Sequence, residues 1–224
     1  MATAKVRVAL FGSFYRGYYL LNELLFGEIA SLVEVVGVAT DDPSNAFVNP
    51  HKRVWQYPHT EYEREMVAIL AARNDLQVFK QRVNEAPFHD IIETSWRPDV
   101  CVMATFGQRI HRHLIDYPPL GFYNLHPCLD DNWPSKYVGG NPFSALMRDR
   151  MAYIRVAFHA IDENFDSGEL IAMTPKIAIP DQASVIDMHK ITSVSAAKLA
   201  ATELQKIIER GVKAPHPPAG GAQK

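Results

Sequence analysis

The chain has 224 residues, 47% of them hydrophobic and 21% charged, with a formal net charge of −2. That supplies a well-filled core, and the missing Lys/Arg block removes the electrostatic footprint of a nucleic-acid binder. The longest apolar runs, such as Val33 to Ala39, are too short to cross a bilayer, and two cysteines, Cys101 and Cys128, argue against a disulfide framework and for a cytoplasmic protein.

Met1 to Lys5 leads directly into a strand pattern and does not resemble a signal peptide. Val6 to Phe11, closed by Gly12, predicts a buried strand; Tyr18 to Phe26 predicts a helix; Val33 to Thr40 predicts a second strand, stopped by Asp41-Asp42-Pro43. Strand, helix, strand implies a parallel βαβ unit with a right-handed crossover, hence an α/β fold. Residues 43–60 read as a surface loop, Glu61 to Ala72 as a helix, Gln77 to Phe79 as a short strand, and Phe88 to Trp96 as a helix ended by Arg97-Pro98. Strands are expected over Asp99 to Phe106, where Cys101 is an inert core residue, and over Gly121 to Leu125. Residues 126–140 read as a loop. Asn141-Pro142 starts a helix that runs to about Arg148. Ile154 to Ile161 and Leu170 to Ile179 read as strands, and Ser184 to Arg210 as a bent helix ending at Gly211. Residues 1–211 are expected to form a single catalytic domain, followed by a disordered Pro/Gly-rich tail over 212–224.

Two clusters carry the chemistry. The first is Asn124-Leu125-His126-Pro127; the second is His159-Ala160-Ile161-Asp162 with Phe165-Asp166-Ser167-Gly168-Glu169. Ligands in open α/β sheets sit beyond the carboxyl ends of strands, where Asn124 and His126 fall. An Asn amide there can donate to an oxyanion. A histidine, with an ordinary pKa of about 6.5, can exchange protons near neutrality. Asp166, in a turn closed by Gly168, can hold the imidazole and favour its charged form. His159 reads as a structural hydrogen-bonding residue. His111-Arg112-His113 reads as a solvated helix start, with no third metal ligand at useful spacing.

These clusters, in this order, resemble the folate-dependent formyltransferases. Met103-Ala104-Thr105-Phe106-Gly107-Gln108-Arg109-Ile110 stands where that family's folate-binding loop precedes the first cluster, and Val156 to His159 leads into the second. The resemblance implies a Rossmann-like, open, mostly parallel twisted sheet flanked by helices, and N10-formyl-tetrahydrofolate as co-substrate with no metal. It assigns Asn124, His126 and Asp166 to catalysis. It assigns Met103, Phe106, Gly107, Gln108, Arg109, Ile110, Ile161, Asp162 and Glu163 to the folate pocket.

Several stretches depart from the family pattern. The segment after His126 is a few residues longer, and Val138 replaces the usual arginine. On this resemblance the chain, which runs only a short way past its last helix, is expected to lack the tRNA enzyme's C-terminal barrel. Gly12 to Tyr19 carries three tyrosines and a phenylalanine in place of a phosphate loop, which suits a stacked or amphipathic acceptor. Lys136 to Phe143 and Ile186 to Thr192 are similar to siderophore-pathway enzymes that formylate N5-hydroxyornithine. The acceptor expected on that resemblance is a small amine or hydroxylamine, held by Ser13, Tyr15, Lys136, Tyr137 and Asn141, with Asp130-Asp131-Asn132 adding charge. No nucleic-acid or membrane partner is expected, and the oligomeric state stays open. The alternatives are a sugar-amine formyltransferase, a non-catalytic folate-binding module, and a dinucleotide-binding dehydrogenase suggested by Gly12 and Asp41 at successive strand ends. The last lacks the G-x-G-x-x-G fingerprint.

Overall fold

Val6–Gly12 forms the first strand (β1), whose last five residues are all buried, as expected of a parallel strand covered on both faces. The structure, a computed structural model, describes residues 4–128, 133–137, 141–164 and 166–211. The expected tail, Asp130-Asp131-Asn132 and Val138 lie outside the described residues. Beside β1 run the parallel strands Val33–Ala39 (β2), Val78–Phe79 (β3), Val100–Ala104 (β4) and Phe122–Cys128 (β5). Tyr153–Ala160 (β6), Leu170–Met173 (β7) and Ile177–Ala178 (β8) add antiparallel pairings. The order is β3-β2-β1-β4-β5-β6-β7, with β8 on β6. This is the open, mostly parallel sheet that the sequence predicts.

Helices cover both faces. Phe14–Phe26 (α1), Glu61–Ala72 (α2) and Val185–Arg210 (α6) bury Leu20, Leu21, Met66, Ala196, Ala200 and Leu204 in one core with β1, β4 and β5. On the other face Phe88, Ile92, Trp96, Leu114 and Ile115 pack on Phe11 and Phe122. These come from Ala86–Ile91 (α3), the π-helical turn that extends it through Trp96, and Arg112–Asp116 (α4), while Pro142–Arg148 (α5) buries Phe143 and Leu146 with Ile154, Val185 and Met188. Burying each such side chain stabilises the fold by roughly 1.5–3 kcal/mol. Capping boxes start α2 at Thr60/Glu63 and α6 at Ser184/Asp187, while Gly211, in left-handed backbone, ends α6.

Three local expectations change. First, α1 begins at Phe14, not Tyr18, so the supposed aromatic loop is the helix's first turn. Gly12 and Gly17 permit this: a Cβ on Gly17 would lie 2.6 Å from the Gly12 carbonyl carbon. Second, β5 runs on to Cys128 where a loop was expected after Leu125. Its pairing with β4 stops at Leu125, while its pairing with β6 continues to Cys128, so Pro127 sits where one flank has no neighbouring strand. Third, the strand expected over Leu170 to Ile179 splits into β7 and β8, because Pro175 has no N–H to give to a ladder. The helix start expected at His111-Arg112-His113 is present: His111 precedes α4 and all three residues are exposed. α6 spans the stretch expected, 26 residues from Val185 to Arg210, between Ser184 and Gly211.

The chain runs outward from β1 through β2 and β3, then returns to β4 on the other side of β1. The strand order reverses there, and a crevice opens beyond the carboxyl ends of β1, β4 and β5.

Candidate active site

Asn124 and His126 stand two apart on β5, so strand alternation points both to the same side. β4 ends at Ala104 and Thr105 turns away in left-handed backbone (φ 58°), while β5 continues. That step opens the space both side chains face. Asp166 reaches the same point from the β6–β7 loop, also in left-handed backbone (φ 51°), a conformation Asp tolerates better than most residues. Gly168 brings this loop close to β6: a Cβ there would lie 1.9 Å from the Ala160 carbonyl oxygen.

The three side chains meet. His126 Nδ1 lies 3.1 Å from Asp166 Oδ1, and Asn124 Nδ2 donates to the same oxygen at 3.3 Å. Asn124 Nδ2 also lies 3.2 Å from His159 Nε2. His159 is buried, and desolvation pulls its pKa down to about 4. The ring is therefore neutral; its Nδ1 lies 2.8 Å from the Ala160 carbonyl and donates to it, leaving Nε2 to accept from Asn124. Trp133 packs against the ring, with centroids 4.8 Å apart, and its indole N–H donates to the Gly168 carbonyl at 2.8 Å. His126 Nε2 faces the Tyr137 carbonyl at 2.9 Å. Both His126 nitrogens thus face acceptors, and only the imidazolium can donate to both.

The crevice has two lobes. The larger encloses about 230 Å³ and the smaller about 40 Å³. Asn124 and Asp166 line both, together with Met103 and Gln108, and His126 lines the larger. Of the residues expected to hold folate, Arg109, Ile110, Ile161, Asp162 and Glu163 line the smaller lobe, and Phe106 and Gly107 the larger. Arg109 Nη2 donates to the Glu163 carbonyl at 2.7 Å, tying the two loops together.

The expected acceptor residues do not converge. Asn141 lines the larger lobe and donates to the Tyr57 hydroxyl at 2.7 Å. Ser13 is buried, its hydroxyl 3.2 Å from that of Thr40 and accepting from Asp41 N–H at 2.9 Å. Tyr15 turns to α2 and donates to Glu63. The Tyr137 hydroxyl donates to Asp149 at 2.6 Å, so that residue offers the site its carbonyl, not its ring. The Lys136 ammonium lies over the Tyr137 ring, 4.7 Å from its centroid, and Lys136 lines neither lobe. Phe14 is fully buried against Trp55 and His189. The physical reason is the early start of α1: a helix turns successive side chains by about 100° and carries these rings away from the mouth.

Arg16, Asp41, Arg53 and His189 also line the larger lobe and were not among the expected site residues. Arg16 and His189 sit within stretches already singled out, and Asp41 at a strand end. Nothing in their spacing links them. Among the described residues no group of His, Cys, Asp and Glu could hold a metal ion, and no helix is long and apolar enough to cross a membrane.

A mostly parallel sheet thus carries an amide, an imidazole and a carboxylate together at its carboxyl edge. The formyl transferase family model matches residues 5–200, and the chain belongs to that family. It is 26% identical over 147 residues to the methionyl-tRNA formyltransferase of Carboxydothermus hydrogenoformans, covering 65% of this chain and 46% of the relative. It is 32% identical over 104 residues to that of Thermus thermophilus, covering 46% of this chain and 32% of the relative. The chain thus spans less than half the length of these relatives. The phosphoribosylglycinamide formyltransferase of Anaplasma phagocytophilum superposes with a TM-score of 0.68 at 14% identity, over 98% of this chain and 96% of that one. The formyltetrahydrofolate deformylase of Pseudomonas syringae pv. tomato does so at 0.64 and 16% identity, over 92% and 63%. Those two likenesses concern the fold. The relatives are not siderophore-pathway enzymes, and the names of the first two include a tRNA, so neither the siderophore reading nor the absence of a nucleic-acid partner draws support from them.

Proposed function

We propose that this chain transfers a formyl group from N10-formyl-tetrahydrofolate to the nitrogen of a small amine or hydroxylamine. The carrying observation is the junction of two lobes at Asn124 and Asp166, with His126 beside them. A two-substrate transfer needs two binding volumes that meet at the groups handling charge and protons. The smaller lobe, with the loop around Arg109 and the loop from Ile161 to Glu163, would hold the folate. Bound there, it supplies the activated formyl group.

The residues perform the rest. Attack by the acceptor nitrogen pushes the carbonyl electron pair onto the formyl oxygen. The Asn124 amide and the His126 imidazolium are the donors at hand for that charge. Both Asn124 hydrogens are engaged, by His159 and Asp166, so one must turn to the oxygen. His126 must exchange its contact with the Tyr137 carbonyl for one with the reacting atoms. The donor C–N bond then breaks as the new one stands, and one proton passes from the acceptor nitrogen to the departing nitrogen by way of His126. Asp166 keeps the ring oriented and stabilises its charged form.

Within this reading N5-hydroxyornithine is the proposed acceptor. Its hydroxylamine nitrogen is neutral at neutral pH and needs no prior deprotonation. The test offers formyl-tetrahydrofolate with N5-hydroxyornithine, ornithine, nucleotide-linked amino sugars and methionyl-tRNA, and weighs products by mass spectrometry. Formyl-hydroxyornithine at the highest kcat/KM supports the assignment. A better amino sugar or methionyl-tRNA replaces the acceptor, and no formylated product from any of them removes the transfer reading.

A further inference from the structure

Arg16 is 1% exposed, yet it has no carboxylate partner among the described residues. Its Nη1 and Nη2 reach the hydroxyls of Thr105 at 3.4 Å and Thr192 at 3.2 Å, and its Nε has no hydrogen-bond partner among the described residues. The guanidinium stands 5.7 Å from the centroid of the Phe143 ring. Burial lowers its pKa to about 10, so it stays charged at neutral pH. Arginine is almost never fully buried unless paired. His189 shares this corner, its ring edge-on to Phe14 and Phe143, and its Nδ1 also lacks a partner.

Asp41, 4% exposed, lies in the same lobe at the end of β2. Its Oδ2 accepts from the Gly107 N–H and, at 3.5 Å, from the Ser13 hydroxyl; its Oδ1 has no partner among the described residues. Desolvation raises its pKa to about 6, which the nearby Arg53 partly offsets, and the group is ionised at neutral pH. One cavity of about 230 Å³ therefore holds a buried cation and a buried anion, each with an idle hydrogen-bonding atom. A phosphate dianion would satisfy Arg16 but be repelled by Asp41. A simple diamine would do the reverse.

We infer that the larger lobe recognises the zwitterionic end of an amino-acid acceptor, its carboxylate on Arg16 with His189 beside it and its ammonium on Asp41 Oδ1. This rests on the formyl-transfer reading of the cleft and names the acceptor class. It moves recognition away from the loop residues around Lys136 to side chains that the fold buries in advance. A ligand that brings a carboxylate to Arg16 and a donor to Asp41 Oδ1 completes the idle hydrogen bonds, since a charge-assisted hydrogen bond is worth more than a neutral one.

The test uses three acceptors: N5-hydroxyornithine, its analogue without the carboxylate (N-hydroxy-1,4-diaminobutane), and its analogue without the ammonium (5-hydroxyaminopentanoate). Losing either charge should raise KM by about 10–100-fold, the worth of one charged hydrogen bond, with a smaller change in kcat. Arg16→Met should weaken the carboxylate-bearing acceptors by that factor and leave the decarboxylated one unaffected. Asp41→Asn should do the same for the ammonium. Removing an unpaired buried charge should also raise the melting temperature of Arg16→Met, which separates lost recognition from lost folding. Binding of L-ornithine by calorimetry, without formyl donor, gives a readout independent of turnover: tighter binding to the wild type than to Arg16→Met supports the inference even if no formyl transfer is seen. Equal ornithine affinity in both proteins, or KM values within about threefold for all three acceptors, overturns it.

Discussion

At the Asn124 end of the cleft, buried polar groups satisfy one another: the amide donates to Asp166 and His159, and both His126 nitrogens have acceptors. At the Arg16 end they do not: Arg16 Nε, Asp41 Oδ1 and His189 Nδ1 are buried without partners among the described residues. An unsatisfied buried group costs about 1–3 kcal/mol, so a native fold keeps such groups where something else repays them. In the proposed reading the satisfied end meets charge that develops during transfer, and the unsatisfied end meets charge that arrives with the acceptor.

The sharpest way to break this contrast is to disable the satisfied end. His126→Ala and Asp166→Ala should lower kcat by about 10²–10⁴-fold, the range for lost acid–base catalysis. Asn124→Ala should lower it by about 10²–10³-fold, as for a lost oxyanion donor. Steady-state rates on circular-dichroism-matched proteins decide this, and a folded variant with wild-type turnover strikes that residue from the mechanism.

Gly168→Ala probes the same end without touching its polar groups. The added methyl meets the Ala160 carbonyl and must shift the loop carrying Asp166. A displacement near 1 Å can cost about 10²-fold in rate. The readout is kcat together with the NMR shifts of the His126 ring; unchanged values for both would mean the loop absorbs the methyl elsewhere.

Acid should expose the energetic side of the comparison. The folded pKa of His159 is pushed down to about 4, below an unfolded value of about 6.5. Between those values the unfolded chain binds the proton and the native one does not, so stability falls as pH drops through the window. His159 accounts for about 3 kcal/mol of this. His189, held well below its ordinary range by burial and Arg16, acts in the same direction. Asp41 opposes them: its raised pKa contributes stability at low pH that is lost as pH rises through about 6. Urea melts at several pH values should show the net acid loss, and a reduced slope in His159→Gln. An identical slope in that variant assigns the loss elsewhere.

The smallest effect is expected at Cys128, buried on β5 with its sulfur 4.0 Å from that of Met173. Direct transfer needs no covalent formyl-enzyme, so Cys128→Ser should keep kcat within about threefold. Loss of activity in the folded variant, or a trapped formyl-cysteine, would reverse that view.

The sheet and the Asn124–His126–Asp166 cluster were legible in the sequence because their signals are local. Apolar runs of five to eight residues mark the strands. Asn124 and His126 stand on one face by strand alternation, and Gly168 marks the turn that carries Asp166. The direction of the aromatic side chains at the start of α1 was not legible, because the close approach of Gly12 and Gly17, which lets the helix begin at Phe14, is a tertiary contact. Nor was the Arg16 corner. Its guanidinium meets Thr192, 176 positions away, and its lack of a carboxylate partner is a property of everything folded around it. Local spacing sets periodicity and turns; burial and hydrogen-bond satisfaction are sums over neighbours distant in the chain, so only the tertiary structure decides them.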